Sequence, residues 1–351
     1  MPQAPDEPVT CDILIVGAGP VGLYGAYYAG ARGLSVAVMD SLPEPGGQVS
    51  AMYPEKPIYD VAGFPAVKGR DLVRGLLEQA ATFSPRYLLD QQAVGLHRAG
   101  ERPVVTSAAG VEVHAGAVVL TAGIGAFTPR PLPAGDGWEG RGLAYFVPSP
   151  ASYAGEDVVV VGGGDSAFDW AENLHPLARS VTLVHRTDRF RAHRATVDKV
   201  AGLGIPIHTF CEVAALRGAA GVAEVEIAHK KTGERLVLPA TRVVAALGFT
   251  SDLGPLTEWG MRMTGRHIDV DTRMQTSLPR VFAAGDVTEY PGKVRLISVG
   301  FGEAATAVNN AAVVVDPTLH LFPGHSSDHP ETYEPKPDTV PVTTPATTGA
   351  L

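Results

Sequence analysis

Gly17, Gly19 and Gly22 follow a run of buried-strand type, residues 12–16, and lead directly into an Ala- and Tyr-rich stretch of helical character, 23–32. Glycines at this spacing, between a strand and a helix, suit one piece of chemistry: they cradle a pyrophosphate. Gly17 permits the tight turn, Gly19 lets the backbone approach the phosphates, and Gly22 lets helix and strand pack closely, so that the anion meets the positive end of the helix. A second strand, 35–39, ends in Asp40. An acid about 20 residues beyond the turn suits a ribose hydroxyl. An ordinary glycine-rich turn would need none of this context.

The device recurs. Residues 158–161 read as a buried strand, Gly162 and Gly164 follow, Ala167 stands where the third glycine was, and Asp165 and Ser166 lie at the start of the helix behind. The next strand, 180–184, runs into His185 and Arg186, and His185 stands as far from Gly162 as Asp40 stands from Gly17. An acid repels a 2′-phosphate and accepts from a free ribose, whereas Arg186 and Arg191 can clamp a 2′-phosphate through forked, charge-assisted hydrogen bonds. The first turn therefore suits FAD and the second suits NADPH. Read more plainly, 185–194 is a solvated basic loop.

With 351 residues, 45% of them apolar and 40 of them glycine, the chain can bury a sizeable core in two domains of α/β type. A formal charge of −9 argues against general nucleic-acid binding, which needs a basic footprint. Residues 1–10 are polar and acidic, and no later run of about 18 uninterrupted apolar residues occurs, so a cytoplasmic protein is expected. Cys11 and Cys211 cannot build a CxxC pair or a metal cluster. No metal site is expected, and both cysteines read as small buried apolar residues.

Residues 41–48 hold too many turn formers for a regular element and are expected to lie along the cofactor. Tyr53, in the loop that follows, is a candidate to stack on a planar flavin, or else a tyrosine packed on the sheet. Residues 70–83 have helical spacing, with Leu72, Leu76, Leu77 and Ala80 on one face. Short strands alternate over 93–114, and 117–121 is a buried strand. The second half repeats this order, with helices at 166–174 and 196–203, strands at 222–229 and 235–238, and a buried strand at 243–246, as though one unit had been used twice. A further strand, 279–286, runs into Asp286, whose carboxylate could accept from the sugar-alcohol chain of FAD. Gly300-Phe301-Gly302 is expected to open a helix over 303–313, with its dipole toward a reduced flavin. The domains expected are a discontinuous FAD domain of residues 1–126 and 254–330, an NADPH domain of 127–253 inserted into it, and a disordered tail at 331–351.

Gly17-Ala18-Gly19-Pro20, Gly46-Gly47-Gln48, Gly162-Gly163-Gly164-Asp165-Ser166-Ala167, His185-Arg186, Phe190-Arg191-Ala192 and Ala284-Gly285-Asp286 together resemble the two-dinucleotide-domain flavoproteins of the thioredoxin-reductase type, over residues 11–327. In thioredoxin reductase a redox-active CxxC stands shortly before the second glycine turn. Here that stretch is Ala144-Tyr145-Phe146-Val147-Pro148, without sulfur, so a different electron acceptor is required. With Tyr53-Pro54, Ile58-Tyr59-Asp60-Val61, Asp169-Trp170 and His325-Ser326, the chain resembles the thioredoxin-reductase-like ferredoxin–NADP reductases. The resemblance implies two Rossmann-like domains of three-layer ββα form. It also implies FAD contacts at Asp40, Gln48, Tyr53, Phe127, Asp286 and Ser327, with His325 over the flavin face opposite Tyr53. Pro20, Gly47 and Ala93 complete the candidate FAD set. Thr187 stands where many relatives have a second arginine, so the preference for NADPH over NADH is expected to be weaker than usual.

The activity implied is that of a ferredoxin–NADP(+) reductase: hydride exchange with NADP(H), then single electrons with ferredoxin or flavodoxin, in a homodimer. The hydride step itself requires no side-chain acid, base or nucleophile. Motion of the domains or the tail must admit the nicotinamide past Tyr53 and His325. Two alternatives stay open on the same residues, an NAD(P)H oxidase or quinone reductase and a nucleotide-binding redox sensor that does not turn over. Because the chain is net negative, an acidic carrier needs a local basic patch, for which Lys56, Lys68, Arg70, Arg74, Lys293 and Arg295 are the candidates.

Overall fold

The computed structural model describes residues 8–147, 149–328 and 330–333. Its α-helices are α1 (Pro20–Ala31), α2 (Gln48–Met52), α3 (Gly69–Ala81), α4 (Asp165–Leu174), α5 (Arg194–Gly202) and α6 (Ile297–Val315). The described residues fall into two compact units. The first takes in residues up to 50, 57–125 and those from 253 onward; the second takes in 51–56 and 126–252.

In the first unit, the strands Arg86–Leu88, Val36–Met39, Val9–Val16 and Glu112–Leu120 lie side by side in that order, all parallel, and Val281–Ala283 pairs parallel with the last of them. Strands buried on both faces need apolar residues throughout, which is why Val9–Val16 and Glu112–Leu120 read as nearly unbroken apolar runs. Alternation then divides their side chains between two layers. Leu14 and Val16 meet Val105 and Val113 of an antiparallel meander formed by Ala93–Ala99, Arg102–Ser107 and the start of Glu112–Leu120. Ile13 and Ile15 face the other way, onto Ala26 and Ala29 of α1 and Ala304 and Ala307 of α6. The result is a meander, a parallel sheet and a helix layer.

The second unit has the same plan. The strands Leu143–Ala144, Arg242–Ala245, Asp157–Val161, Ser180–Val184 and Ile207–His208 form a parallel sheet in that order. Val158 and Val160 pack with Phe168 and Leu174 of α4 and Val200 of α5, while Val159 and Val161 pack with Val213 and Ile227 of a three-stranded meander. The first strand of that meander, Cys211–Arg217, has no counterpart in the sequence reading. Two consecutive alanines and a register shift between Val213 and Ala215 blur its alternation. An antiparallel ribbon of Ala126–Pro129 and Phe249–Asp252 carries the chain into and out of this unit.

One expectation is corrected. α6 begins at Ile297 rather than at residue 303, so Gly300 and Gly302 lie inside the helix. Gly300 is there for packing: a β-carbon would stand 2.5 Å from Val21 Cγ2. The tail expected to be disordered from 331 begins with a 3-10 turn, Pro330–Tyr333, and its remainder, 334–351, lies outside the described residues. Among the described residues no helix is long and apolar enough to cross a membrane, and no cluster of His, Cys, Asp and Glu could hold a metal ion.

Candidate functional site

The first glycine turn has the geometry that a phosphate cradle needs. Gly17 has φ +112°, and a β-carbon on Gly22 would stand 1.9 Å from the Gly17 carbonyl oxygen. Gly19, the N-cap of α1, has no atom within 4 Å of where its β-carbon would be, so the mouth of the turn is open. Pro20 takes the first helical position, where its missing N–H costs nothing, and no side chain caps the helix. The remaining amides of the first turn are left for an anion.

Other predicted residues gather at this opening. The Gly46 amide donates to the Ala18 carbonyl at 2.8 Å, and a β-carbon on Gly47 would stand 3.1 Å from Gly19 Cα. Gln48, which opens α2 instead of ending a loop, places Nε2 against Gly123, just beyond Glu112–Leu120. Asp40 is almost buried and accepts the Ala18 amide through Oδ2 at 2.5 Å and the Leu42 amide through Oδ1 at 2.8 Å. Burial raises its pKa against the pull of these amide bonds. A carboxylate has about four acceptor sites, so acceptor capacity remains for a ribose. Asp286 follows Gly285, whose β-carbon would stand 3.3 Å from Val21 in the first turn of α1. Burial raises its pKa too, opposed by Lys293 and Arg295. Ala93 begins its strand with its methyl in the core, leaving its backbone to meet a ligand.

Four further candidate FAD residues belong to the second unit or to the tail. Tyr53 and Phe127 belong to the second unit. His325 and Ser327 lie in the tail, which Arg32, the C-cap of α1, holds through the carbonyls of His320 at 2.6 Å and Leu321 at 3.1 Å. That anchor is a helix length from Gly19, about 18 Å at 1.5 Å per residue. The His325 ring meets Phe322 edge-on at 5.3 Å, and its amide donates to Asp328 Oδ2 at 3.0 Å. The tail is thus fastened at the opposite end of α1 from the glycine turn.

In the second unit, Gly164 caps α4 and again has nothing within 4 Å of a notional β-carbon, so this turn is open as well. Ser166 lies exposed in the first turn of α4, and the Ala167 methyl is fully buried beneath it. Asp165 Oδ1 accepts the His193 amide at 2.9 Å, and the Arg191 amide donates to the Gly163 carbonyl at 2.8 Å. These bonds fold the basic loop back over the turn. Arg186 and Arg191 are exposed. The His185 ring lies on Gly163, and its Nε2 meets the Arg189 carbonyl at 3.1 Å; a carbonyl can only accept, so Nε2 carries a proton. Burial lowers its pKa, with Arg186 and Arg191 adding to that effect. Burial thus disfavours charge on the imidazole, and Arg186 and Arg191 supply positive charge at this strand end.

A solvent-open pocket beside α4 is lined by Tyr53, Lys56, Tyr145, Phe146, Asp169 and Trp170 among others. Lys56 is ion-paired with Asp169 and the Phe146 and Phe249 rings stack with centroids 5.1 Å apart. Tyr145 and Phe146 occupy the stretch that holds the redox dithiol in thioredoxin reductase. Both cysteines are buried, and burial pushes the Cys11 thiol up to about 12. Of the candidates for the basic patch, Lys293 is not at the surface and three others are ion-paired there. Lys56 is engaged by Asp169, Lys293 is buried against Glu303, Arg74 meets Asp71 at 2.9 Å and Arg295 meets Glu289 at 2.7 Å. Sequence spacing carries no signal for the 113-residue separation of Lys56 and Asp169.

A family model for the pyridine nucleotide-disulphide oxidoreductases matches residues 11–311. The chain is 66% identical to a ferredoxin–NADP reductase of Frankia alni, across 90% of this chain and 98% of that one. It is 48% identical to a ferredoxin–NADP reductase of Thermus thermophilus, across 90% and 96%. Among solved structures it is similar to the thioredoxin reductase of T. acidophilum, with a TM-score of 0.73 and 25% identity over 88% of this chain and 99% of that one.

Proposed function

The chain belongs to the pyridine nucleotide-disulphide oxidoreductase family and, within it, to the thioredoxin-reductase-like ferredoxin–NADP reductases, and on that premise we propose that it passes electrons between NADP(H) and ferredoxin through FAD. The observation that carries this reading is the pair of open glycine turns with opposite chemistry at their strand ends, Asp40 at one and Arg186 with Arg191 at the other. Bound FAD supplies the exchange between a two-electron hydride and single electrons. The protein binds and orients. Gly17–Gly22 and α1 take the FAD pyrophosphate, Asp40 the ribose and Asp286 the polyol chain. Gly162–Ala167 and α4 take the pyrophosphate of NADPH, and Arg186 and Arg191 take its 2′-phosphate.

With no thiol pair available, electrons leave to a carrier and not to a disulfide. Flavodoxin is a second carrier in this reading, and the active form is a homodimer. The pocket bounded by Tyr53, Tyr145 and Phe146 supports a place for the nicotinamide end of NADPH, since Ser166, Asp169 and Trp170 of α4 also line it.

The test is an anaerobic titration with NADPH, followed by ferredoxin and then flavodoxin, watching the flavin and the carrier absorbance in turn. Flavin bleaching followed by carrier reduction is expected. Turnover with oxygen or quinones alone would mark an oxidase or quinone reductase. No bleaching would mark a non-catalytic redox sensor.

A further inference from the structure

Lys293 and Glu303 form an ion pair with both side chains buried, at 1% and 5% exposure. Lys293 Nζ donates to both Glu303 oxygens, at 2.5 and 2.7 Å, and to the Gly285 carbonyl at 2.9 Å, so its three donors are all taken. Glu303 in turn accepts the Gly285 amide at 2.7 Å and the Tyr290 hydroxyl at 2.5 Å. Both backbone polar groups of Gly285 are therefore held by one charged pair, in a turn of φ +85° immediately before Asp286.

Such a pair is a poor source of stability. Desolvation of two buried ions offsets their attraction, and apolar residues of similar volume often replace them without loss. Its directional bonds give it a different use, because they join three segments at one residue: the strand end at Gly285, the loop of Tyr290 and Lys293, and α6 through Glu303. We infer that Lys293 and Glu303 are positioning residues of the first site, fixing the Gly285–Asp286 peptide against the start of α1 so that the Asp286 carboxylate is aimed at the polyol hydroxyls of FAD. This rests on the reading of the first turn as an FAD site. A merely structural pair would act on the fold without acting through Asp286.

The experiment measures FAD dissociation constants and apo-protein melting temperatures for the parent, Asp286→Asn, Lys293→Met/Glu303→Leu, and the combination. The double replacement removes both charges together, so neither is left uncompensated. It is expected to melt close to the parent and to bind FAD about tenfold more weakly, the equivalent of one well-made hydrogen bond. Asp286→Asn should then cost less in that background than in the parent, because a mis-aimed carboxylate has little left to lose. Parental FAD affinity in a folded double variant, or losses that simply multiply, would overturn the inference. Absence of FAD binding by the parent would instead overturn the site itself. Should the double variant not fold, Tyr290→Phe removes one bond to Glu303 without exposing a charge. A two- to fivefold loss of FAD affinity, absent when Asp286 is already Asn, is then expected at about the low end for a hydrogen bond, and no loss would overturn the proposal.

Discussion

The imidazole of His185 lies flat enough on Gly163 that a β-carbon there would come within 2.2 Å of the ring. If the second turn holds NADPH as proposed, this contact ties its middle glycine to the loop that would take the 2′-phosphate. Gly163→Ala must push the ring aside, and with it the loop that the Arg191 amide ties to the Gly163 carbonyl. The expected result is a rise in KM for NADPH of about tenfold, the cost of about one lost charged contact, with a smaller rise for NADH. Steady-state kinetics with both cofactors would show it. Equal changes would mean that the loop moves without consequence for the 2′-phosphate.

Arg186→Ala and Arg191→Ala test the phosphate clamp directly. Each should raise KM for NADPH by about tenfold or more at low ionic strength, from the loss of a charge-assisted hydrogen bond, and change KM for NADH little. Both arginines are exposed, so the effect should shrink as added salt screens the site. An NADPH effect that is independent of salt would point to lost packing in place of lost charge.

The glycine turns, the parallel strands around them and the acid-versus-base difference were legible in the sequence because each depends on local spacing. Gly17 and Gly22 do what their positions announce. The parts that were not legible depend on contacts between distant residues. The apolar run near Gly300 showed a helix but not its start, because a glycine placed for Val21 looks in sequence like a helix opener. Lys293 looks like surface charge until Glu303 and Gly285 close around it. Lys56, Tyr53 and their neighbours join the second unit through contacts more than 100 residues away, Lys56 with Asp169 among them.

A pH dependence follows from His185. Burial lowers its folded pKa below the ordinary value of 6.5, so the unfolded chain binds the proton first as the pH falls. Stability is then complete above about pH 6.5 and is lost as the pH drops from there through the folded value. His208 and His267, also lowered by burial, act in the same sense. Thermal melts between pH 5 and 8, roughly the range over which histidine titrates, should show this slope, and His185→Gln should flatten it. A variant with the parent's slope would show that the ring titrates normally.

The two turns differ at their third position, and that difference predicts opposite tolerance. Gly22→Ala places a methyl 1.9 Å from the Gly17 carbonyl oxygen and 2.7 Å from Thr121 Oγ1, and neither backbone nor buried hydroxyl can give way cheaply. α1 must lift from Val9–Val16, which opens the phosphate cradle as it moves. Overpacking of this kind costs about 1–3 kcal/mol, and here the strain falls on the ligand site itself. The purified Gly22→Ala protein should be pale, with little bound FAD and a lowered melting temperature. Ala167→Gly is the reverse change. It removes one buried methyl and adds a helical glycine, each worth about 1 kcal/mol, with no atom forced to move. That variant should melt a few degrees lower yet keep its flavin and a near-parental KM for NADPH, about 4–8 °C per kcal/mol being the upper range for small domains. Flavin content from the visible spectrum decides the matter, and a Gly22→Ala protein as yellow as the parent would show that the helix need not pack so closely to hold FAD.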